Sequence, residues 1–553
     1  MEEIIKVKIV KSGQVIEYPK GISIESIAKD FQSSYPSQIV AAIVNNDIRE
    51  LSKSIDRNSD LDFIDMTTED GVRIYQRGLM FIAYVASKEL FPDKKLRVRY
   101  SLGKGIYCDF DGWVPSGEDL STLKSRMQDF VDRDIPLMKE ELYKFDALEL
   151  FKEHGMKDKI ELLKYRTKST INVYWFGQYF NYYYGHMVPS TAYIKLFDVV
   201  QVNHGLVLVH PDITSPNELP KYIFQPKMAK AYEDRSKWGK IVGMETVGDL
   251  NLLIAEGRIK DVIMMCELLH EKEISKIADD ITSKGSVKLI LCAGPSSSGK
   301  TTFSKRLSLQ LKVNGFEPYP ISLDDYFVER DKTPIGPDGK PDFESIEALD
   351  LELFTRNMND IFNGKEVELP KFNFKTGRRE YKGEKVKPTA KTILVVEGIH
   401  GLNPKMTKNF DQNLIHKIYV SALTQTSLDE DNRIPTTDVR IIRRMIRDYN
   451  FRGHSALMTL QMWQGVRIGE EKNIFPYQEE ADVMFNSALP YELAVLKNFA
   501  IPLLLQVDNS TPEYSQARRL IRFLDYFLPI VDFDVIPSTS IIREFIGSSY
   551  FHY

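Results

Sequence analysis

Apolar and polar positions alternate at the start of the chain. Ile5-Lys6-Val7-Lys8-Ile9 puts an apolar side chain at every second position, and Ser12-Gly13 supplies a turn. The pattern predicts two strands, a helix from about Ser23, a strand over 39–44 and a closing strand at Leu61-Asp62-Phe63-Ile64. A helical period takes over from Tyr75 to Leu90, behind Thr68-Glu69-Asp70-Gly71. Strand patterns return at 105–110, in the aromatic run from Tyr174-Trp175-Phe176 to Tyr182-Tyr183-Tyr184, and at 205–209. Those aromatics read as the core and rim of an antiparallel sheet, with base stacking beside His186 as the alternative. Helical spacing dominates 227–284, through Val262, Cys266, Leu269, Ile274, Ile277 and Ile281, until Lys284-Gly285-Ser286 punctuates it. Apolar strands are then expected at 287–293, 318–322 and 392–396. An amphipathic helix from Thr511 precedes a tail whose Ile541, Ile542, Phe545 and Ile546 are expected to dock, within the chain or across a homo-oligomer, since they would otherwise form an exposed apolar patch.

These elements divide the chain into 1–66, a small β-grasp unit; 67–226, an α+β unit; 227–285, a helical connector; 286–510, a parallel α/β unit; and 511–553, a helix and docking tail. The expected fold class is therefore multidomain α/β and α+β. A length of 553 residues agrees, because single cores rarely organise more than ~100–200 residues. The 43% hydrophobic and 27% charged composition is that of ordinary globular proteins, and a net charge of -5 gives no general attraction to nucleic acid. Cys108, Cys266 and Cys292 lack the spacing of a disulfide framework or zinc knuckle and are expected to be buried. No apolar run nears the ~20 residues of a membrane span, and the acidic start Met1-Glu2-Glu3 does not fit a signal peptide, so no membrane partner and a cytoplasmic location are expected.

The chemistry concentrates after the apolar strand at 287–293. Gly294-Pro295-Ser296-Ser297-Ser298-Gly299-Lys300-Thr301 is a full P-loop signature. Its glycines let backbone N–H groups turn toward phosphates, Lys300 reaches the β and γ oxygens, and Thr301 offers a hydroxyl to Mg2+ at a helix N-terminus. The motif specifies a nucleotide but no reaction. A kinase also needs a base, an acidic group near magnesium, and cations for the transferred phosphoryl group. Asp324, at the end of the strand 318–322, is the expected base, with Asp325 the less favoured choice. Glu397, at the end of 392–396, stands where a Walker-B carboxylate belongs. Arg440, Arg443, Arg444 and Arg447 recur at helical spacing with Arg452 following, and read as a lid helix closing over ATP.

Taken together and in this order, the P-loop, Ser322-Leu323-Asp324-Asp325-Tyr326-Phe327, Val396-Glu397-Gly398-Ile399 and the arginine helix resemble the uridine-cytidine kinase and phosphoribulokinase family, over about 287–507. The resemblance implies transfer of phosphate from ATP to the 5'-hydroxyl of a nucleoside, with Mg2+. It places the nucleotide on Gly294, Pro295, Ser296, Ser297, Ser298, Gly299, Lys300, Thr301 and Thr302, and the metal on Thr301 and Glu397. Catalysis would fall to Asp324, Lys300, Arg443 and Arg447, and acceptor binding to Asp324, Phe327, Glu344, Phe372, Phe374 and Arg440. Two departures weaken pyrimidine selectivity: Phe372 replaces the family's usual tyrosine, and Gly377 its base-contacting histidine. Upstream, residues 4–66 resemble the TGS domain, and 67–226 resemble the second, editing-type domain of threonyl-tRNA synthetase. The latter's zinc-binding histidines are missing from Gln76-Arg77-Gly78-Leu79-Met80-Phe81-Ile82, so its metal-dependent editing is expected to be absent. The whole layout resembles a bacterial group of nucleoside kinases. Two alternatives stand beside this reading: a kinase of another alcohol such as a sugar phosphate, for which Lys371, Lys375, Arg378 and Arg379 would supply cations, and an ATP-sensing RNA-binding regulator.

Overall fold

A computed structural model of the chain describes residues 3–336, 339, 341–374 and 376–553. At its N-terminus β1 (Ile4–Ile9) and β2 (Val15–Pro19) pair antiparallel, and α1 (Ile24–Phe31) follows. The Ser23 hydroxyl caps α1 by accepting from the Ser26 N–H. With β3 (Ile39–Val44), β4 (Asp47–Glu50) and β5 (Ser59–Asp65), the strands form a sheet in the order β2-β1-β5-β3-β4. The alternation of the opening segment buries Ile5, Val7 and Ile9 beneath Ile24 and Ile27 of the helix. This is the β-grasp order expected.

Next comes α2 (Glu69–Leu90), whose first turn carries Glu69 and Asp70 and whose cap is Thr68. β6 (Leu96–Ser101), β7 (Gly105–Phe110), α3 (Gly117–Asp132), β8 (Leu137–Tyr143), α4 (Lys144–Glu153), α5 (Lys157–Lys164), β9 (Thr170–Phe176), β10 (Tyr179–Tyr182), β11 (Asp198–Val202) and β12 (Gly205–Val209) complete the α+β part. They form a sheet β11-β12-β7-β6 and a second sheet β8-β9-β10. The aromatic run lies on β9 and β10 with Tyr174, Phe176 and Tyr182 buried, as expected for a sheet core.

Three helices, α6 (Pro226–Val242), α7 (Val247–Ala255) and α8 (Ile259–Ser283), lead into the parallel sheet. There the chain forms β13 (Leu289–Ala293), α9 (Lys300–Val313), β14 (Glu317–Ser322), α10 (Leu351–Phe362), the hairpin β15 (Val367–Asn373) and β16 (Arg378–Val386), β17 (Thr392–Glu397) and β18 (Ile415–Ser421). α11 (Thr436–Arg452), α12 (Ala456–Asn473), β19 (Val483–Asn486), α13 (Glu492–Leu504), α14 (Tyr514–Leu524) and α15 (Arg543–Ile546) complete it. The order β14-β17-β13-β18-β19 is parallel throughout. Every residue of β13 is buried, as a strand covered on both faces requires. The chain runs to one side of β13 and then returns to the other, so the reversal of strand order falls beside this strand, where such sheets bind ligands.

The boundaries drawn from sequence cross a shared core. One apolar cluster joins Phe151 and Leu162 of α4 and α5 to Ile277 of α8, Leu307 of α9, Val420 of β18, and Phe523, Ile541 and Phe545 near the C-terminus. The helices of 227–285 are thus packed into the body of the α/β unit, and Ile541, Ile542 and Phe545 dock within the chain with no remaining exposure. Lys159 fastens the two halves: its buried ammonium lies 2.6 Å from Asp429, 2.7 Å from Asp431 and 3.2 Å from Asp158. Burial opposes its charge, but the three aspartates outweigh that and hold the lysine ionised far above its ordinary range.

Candidate active site

The phosphate loop leaves β13 and enters α9 in a conformation that only part of its sequence tolerates easily. Gly299 has φ 84° and Ser297 φ 56°, which turn the loop back on itself. A Cβ at Gly294 would collide with the Val420 carbonyl oxygen, and one at Gly299 would lie 2.7 Å from Ile541 Cγ2. The Ser297 and Ser298 hydroxyls are buried without partners among the described residues. Lys300, the first residue of α9, donates to the Pro295 carbonyl at 3.1 Å.

Three strand ends deliver the acidic groups. Cys292, Ser322 and Glu397 are register partners across β13, β14 and β17, so the P-loop, the Asp324 turn and Glu397 emerge at one sheet edge. The Ser322 hydroxyl accepts from the Asp324 N–H at 3.3 Å and caps the short turn holding this residue. Asp324 is open to solvent at the cleft mouth, yet the protein around the cleft raises its pKa; Lys300 and Arg452 pull the other way, and Asp325 adds to the rise. Glu397 is pushed up to about 7, by burial first and then by Asp324 and Glu544, against Lys300. Glu344 is likewise pushed up to about 7, by burial and Glu470, against Arg444. Burial lowers Lys300, while Glu397, Glu544 and Asp324 oppose that. One lysine thus faces a surplus of carboxylate charge.

The two adjacent aspartates have different surroundings. Asp325 accepts from the Phe372 N–H at 3.3 Å and pairs with Lys371 at 3.1 Å, which ties it to the hairpin, whereas the Asp324 carboxylate has no such partner among the described residues. Beside them four phenylalanines meet edge to face: Phe327 lies 5.7 Å from Phe372, 6.1 Å from Phe343 and 6.3 Å from Phe374. Phe327 and Phe372 are buried, while Phe374 keeps 57% of its surface exposed. Glu344 packs against Gly469 of α12, where a Cβ would lie 2.8 Å from its own. Gly377 has φ 68° and sits against Arg330, so the hairpin turn itself calls for glycine there. Of the hairpin cations, Arg379 pairs with Asp350 and donates to the Phe327 carbonyl, Arg378 is exposed, and Lys375 lies outside the described residues.

The arginine helix corrects the sequence reading. Arg440 and Arg443 do not form a free basic face: both are fully buried. Arg440 pairs with Glu470 and donates to the Ser296 carbonyl at 2.9 Å. Arg443 pairs with Glu492 at 2.6 Å and donates to the Ser487 carbonyl at 2.9 Å and the Ser297 carbonyl at 3.4 Å. They brace the P-loop from behind. Arg447 is held on Asp448 at 2.8 Å. Periodicity shows that a basic face exists, but only the placement of Glu470 and Glu492 reveals that it is covered. Arg444 and Arg452 also pair with Asp448, at 3.3 Å and 3.5 Å; Arg444 in addition donates to the Ser296 hydroxyl at 2.7 Å, and the field of Arg452 acts on Asp324 and Glu544.

Sequence reasoning also missed Glu544. Its carboxylate accepts from the Thr302 hydroxyl at 2.5 Å and lies 3.4 Å from the Thr302 N–H in the first turn of α9. The Tyr553 hydroxyl is 2.8 Å from the same Thr302 hydroxyl, and Lys305 donates to the His552 carbonyl. No local signal in the tail could have announced this, since Glu544 stands in an apolar docking segment.

The donor set suits ATP and Mg2+. Orphaned serine hydroxyls and a loop whose two glycines leave no room for a Cβ fit a phosphate cradle, while the Thr301 hydroxyl and Glu397 are the hard oxygen donors magnesium prefers. Another acidic group, Asp158, Asp429 and Asp431, is close enough to hold an ion, but the Lys159 ammonium already fills it.

Fold and site define a P-loop kinase domain. Residues 289–493 match the family model described as the phosphoribulokinase / uridine kinase family. Over the N-terminal region the chain is similar to threonine–tRNA ligases: 28% identical over 195 residues to that of Syntrophomonas wolfei, covering 35% of this chain and 31% of the relative, and 29% over 255 residues to that of Clostridioides difficile, covering 43% and 39%. The chain spans about a third of the length of these curated relatives. Among solved structures, one described as a possible uridine kinase from Bacillus stearothermophilus aligns with 40% of this chain and all of its own, at 20% identity and a TM-score of 0.27. A D-glycerate 3-kinase from Cryptococcus neoformans aligns with 46% of this chain and 87% of its own, at 14% identity and a TM-score of 0.20. Among the described residues no helix is long and apolar enough to cross a membrane.

Proposed function

We propose that the protein transfers the γ-phosphoryl group of ATP to the 5'-hydroxyl of a nucleoside-like acceptor. The observation that carries the reading is the meeting of a free carboxylate, Asp324, with the P-loop lysine on one side and an aromatic group containing the exposed Phe374 on the other. Asp324 takes the acceptor's hydroxyl proton as its oxygen bonds to phosphorus; the bridging P–O bond breaks, and its electron pair leaves on ADP. Mg2+, when bound by Thr301 and Glu397, supplies charge neutralisation on the phosphates. Lys300 counters the same charge, Glu344 accepts hydrogen bonds from sugar hydroxyls, and Phe372 with Phe374 holds a flat ring. Lys371 and Arg379 are already committed to Asp325 and Asp350, which favours an uncharged acceptor over a sugar phosphate.

A panel of uridine, cytidine, inosine, guanosine, adenosine and ribulose 5-phosphate with Mg-ATP tests this, with products identified by mass. A nucleoside 5'-monophosphate is the expected product. Turnover of ribulose 5-phosphate alone would overturn the choice of acceptor while leaving the phosphotransfer intact.

A further inference from the structure

Apart from the P-loop, a cavity of about 120 Å³ opens between α2, the sheet β8-β9-β10 and α14. No residue of 294–301 lines it. Six cationic side chains face it against two carboxylates, Asp70 and Glu141, in a chain whose net charge is -5. Four of the six have acidic partners: Arg519 pairs with Asp438 at 2.6 Å and 2.9 Å, Lys139 meets Glu50 at 3.3 Å, Arg166 meets Asp525 at 3.5 Å, and Arg522 meets Asp47 at 3.7 Å. The other two do not. Arg77, buried, donates to the His186 carbonyl at 3.0 Å, and Lys168 makes no ion pair among the described residues. Cations gathered around one cavity repel one another, and they persist at lowest free energy when an anion joins them.

Two further features point to a ligand. A Cβ at Gly185 would strike the Arg77 guanidinium, so glycine lets that group lie flat against the backbone at the cavity wall. Tyr182, Tyr184 and Tyr526 supply aromatic surface, with Arg77 5.3 Å from the Tyr184 ring. The cations agree with this electrically: burial, then Arg166 and Arg522, lower Lys168, and burial, then Lys139, Arg522 and Arg77, lower His186 far below its ordinary range. The helix that lacks metal-binding histidines contributes a guanidinium here.

We propose that this cavity is a second ligand site, which binds the phosphate monoester of a small molecule on Arg77, Lys168 and Arg522. A dianionic phosphate matches several converging donors better than a carboxylate does, and the tyrosine walls accept the part it is attached to. A volume of about 120 Å³ suits a small molecule rather than a polymer.

Isothermal titration of the full chain carrying Lys300→Ala, which weakens the P-loop as a competing site, with inorganic phosphate, ribose 5-phosphate and AMP tests the site. At least one probe is expected to bind saturably. Binding should weaken about tenfold or more when Lys168→Ala and Arg522→Ala are added. Lys168 is exposed at the rim, so Lys168→Ala alone carries the test if the double change does not fold. Absence of binding by all three probes overturns the proposal, as does binding that these substitutions leave unchanged. So does a site that takes only an RNA acceptor-stem oligonucleotide and none of the small phosphates.

Discussion

Glu397 shows how one side chain ties geometry to chemistry. Its carboxyl, half-buried in the field of Asp324, Glu544 and Lys300, is pushed up to about 7. A raised carboxyl pKa means that the proton competes with a metal below that pH and gives way above it. The Mg2+ concentration for half-maximal activity should therefore rise about tenfold per unit as pH falls below 7, and level off above it. A metal requirement independent of pH between 6 and 8 would count against Glu397 as a ligand. Phe374 acts on the other substrate: Phe374→Ala should raise the acceptor KM about tenfold with little change in the ATP KM, the scale of one lost stacking contact. The P-loop and the Asp324 turn were legible because each is contiguous in sequence and its chemistry follows from residue type. Gly377 was not, since reading it as a lost histidine overlooked the positive φ its turn imposes.

At the scale of elements, β13, β14 and β17 announce themselves by apolar runs that end in polar chemistry, so the residues alone locate the sheet edge. The arginine helix could not be placed in the same way. Spacing put four guanidinium groups along α11, but burial by Glu470 and Glu492 depends on partners 30 and 49 residues away. The two readings make opposite predictions. A lid arginine would cost activity and little stability, whereas a buried one leaves Glu492 uncompensated when removed. Arg443→Met should cost about 3–5 kcal/mol of unfolding free energy, and Arg443→Met with Glu492→Leu should recover much of it. Urea unfolding measures both. Activity loss at unchanged stability would restore the lid.

For the whole molecule, the sequence divided the chain at turns and changes of period, and those signals say where elements stop rather than what packs across them. The shared core and the Lys159 cluster join the synthetase-like half to the kinase domain, and the tail returns some 240 residues to the P-loop helix. Because Glu544 sets a negative charge on the first turn of α9, where phosphate charge is to be bound, Glu544→Gln should tighten ATP binding by about 1 kcal/mol, roughly fivefold. Weaker binding would make the tail part of the nucleotide site instead. These contacts surround the proposed kinase reaction, in which Asp324 would be the base, and the direct test is ADP release with Mg-ATP, with and without nucleoside, in the wild-type chain and in Asp324→Asn. The account predicts nucleoside-dependent ADP formation in the wild type and a kcat about 100-fold to 10,000-fold lower in Asp324→Asn, with nucleotide binding retained. ADP release indifferent to every nucleoside, or full activity in Asp324→Asn, would contradict it.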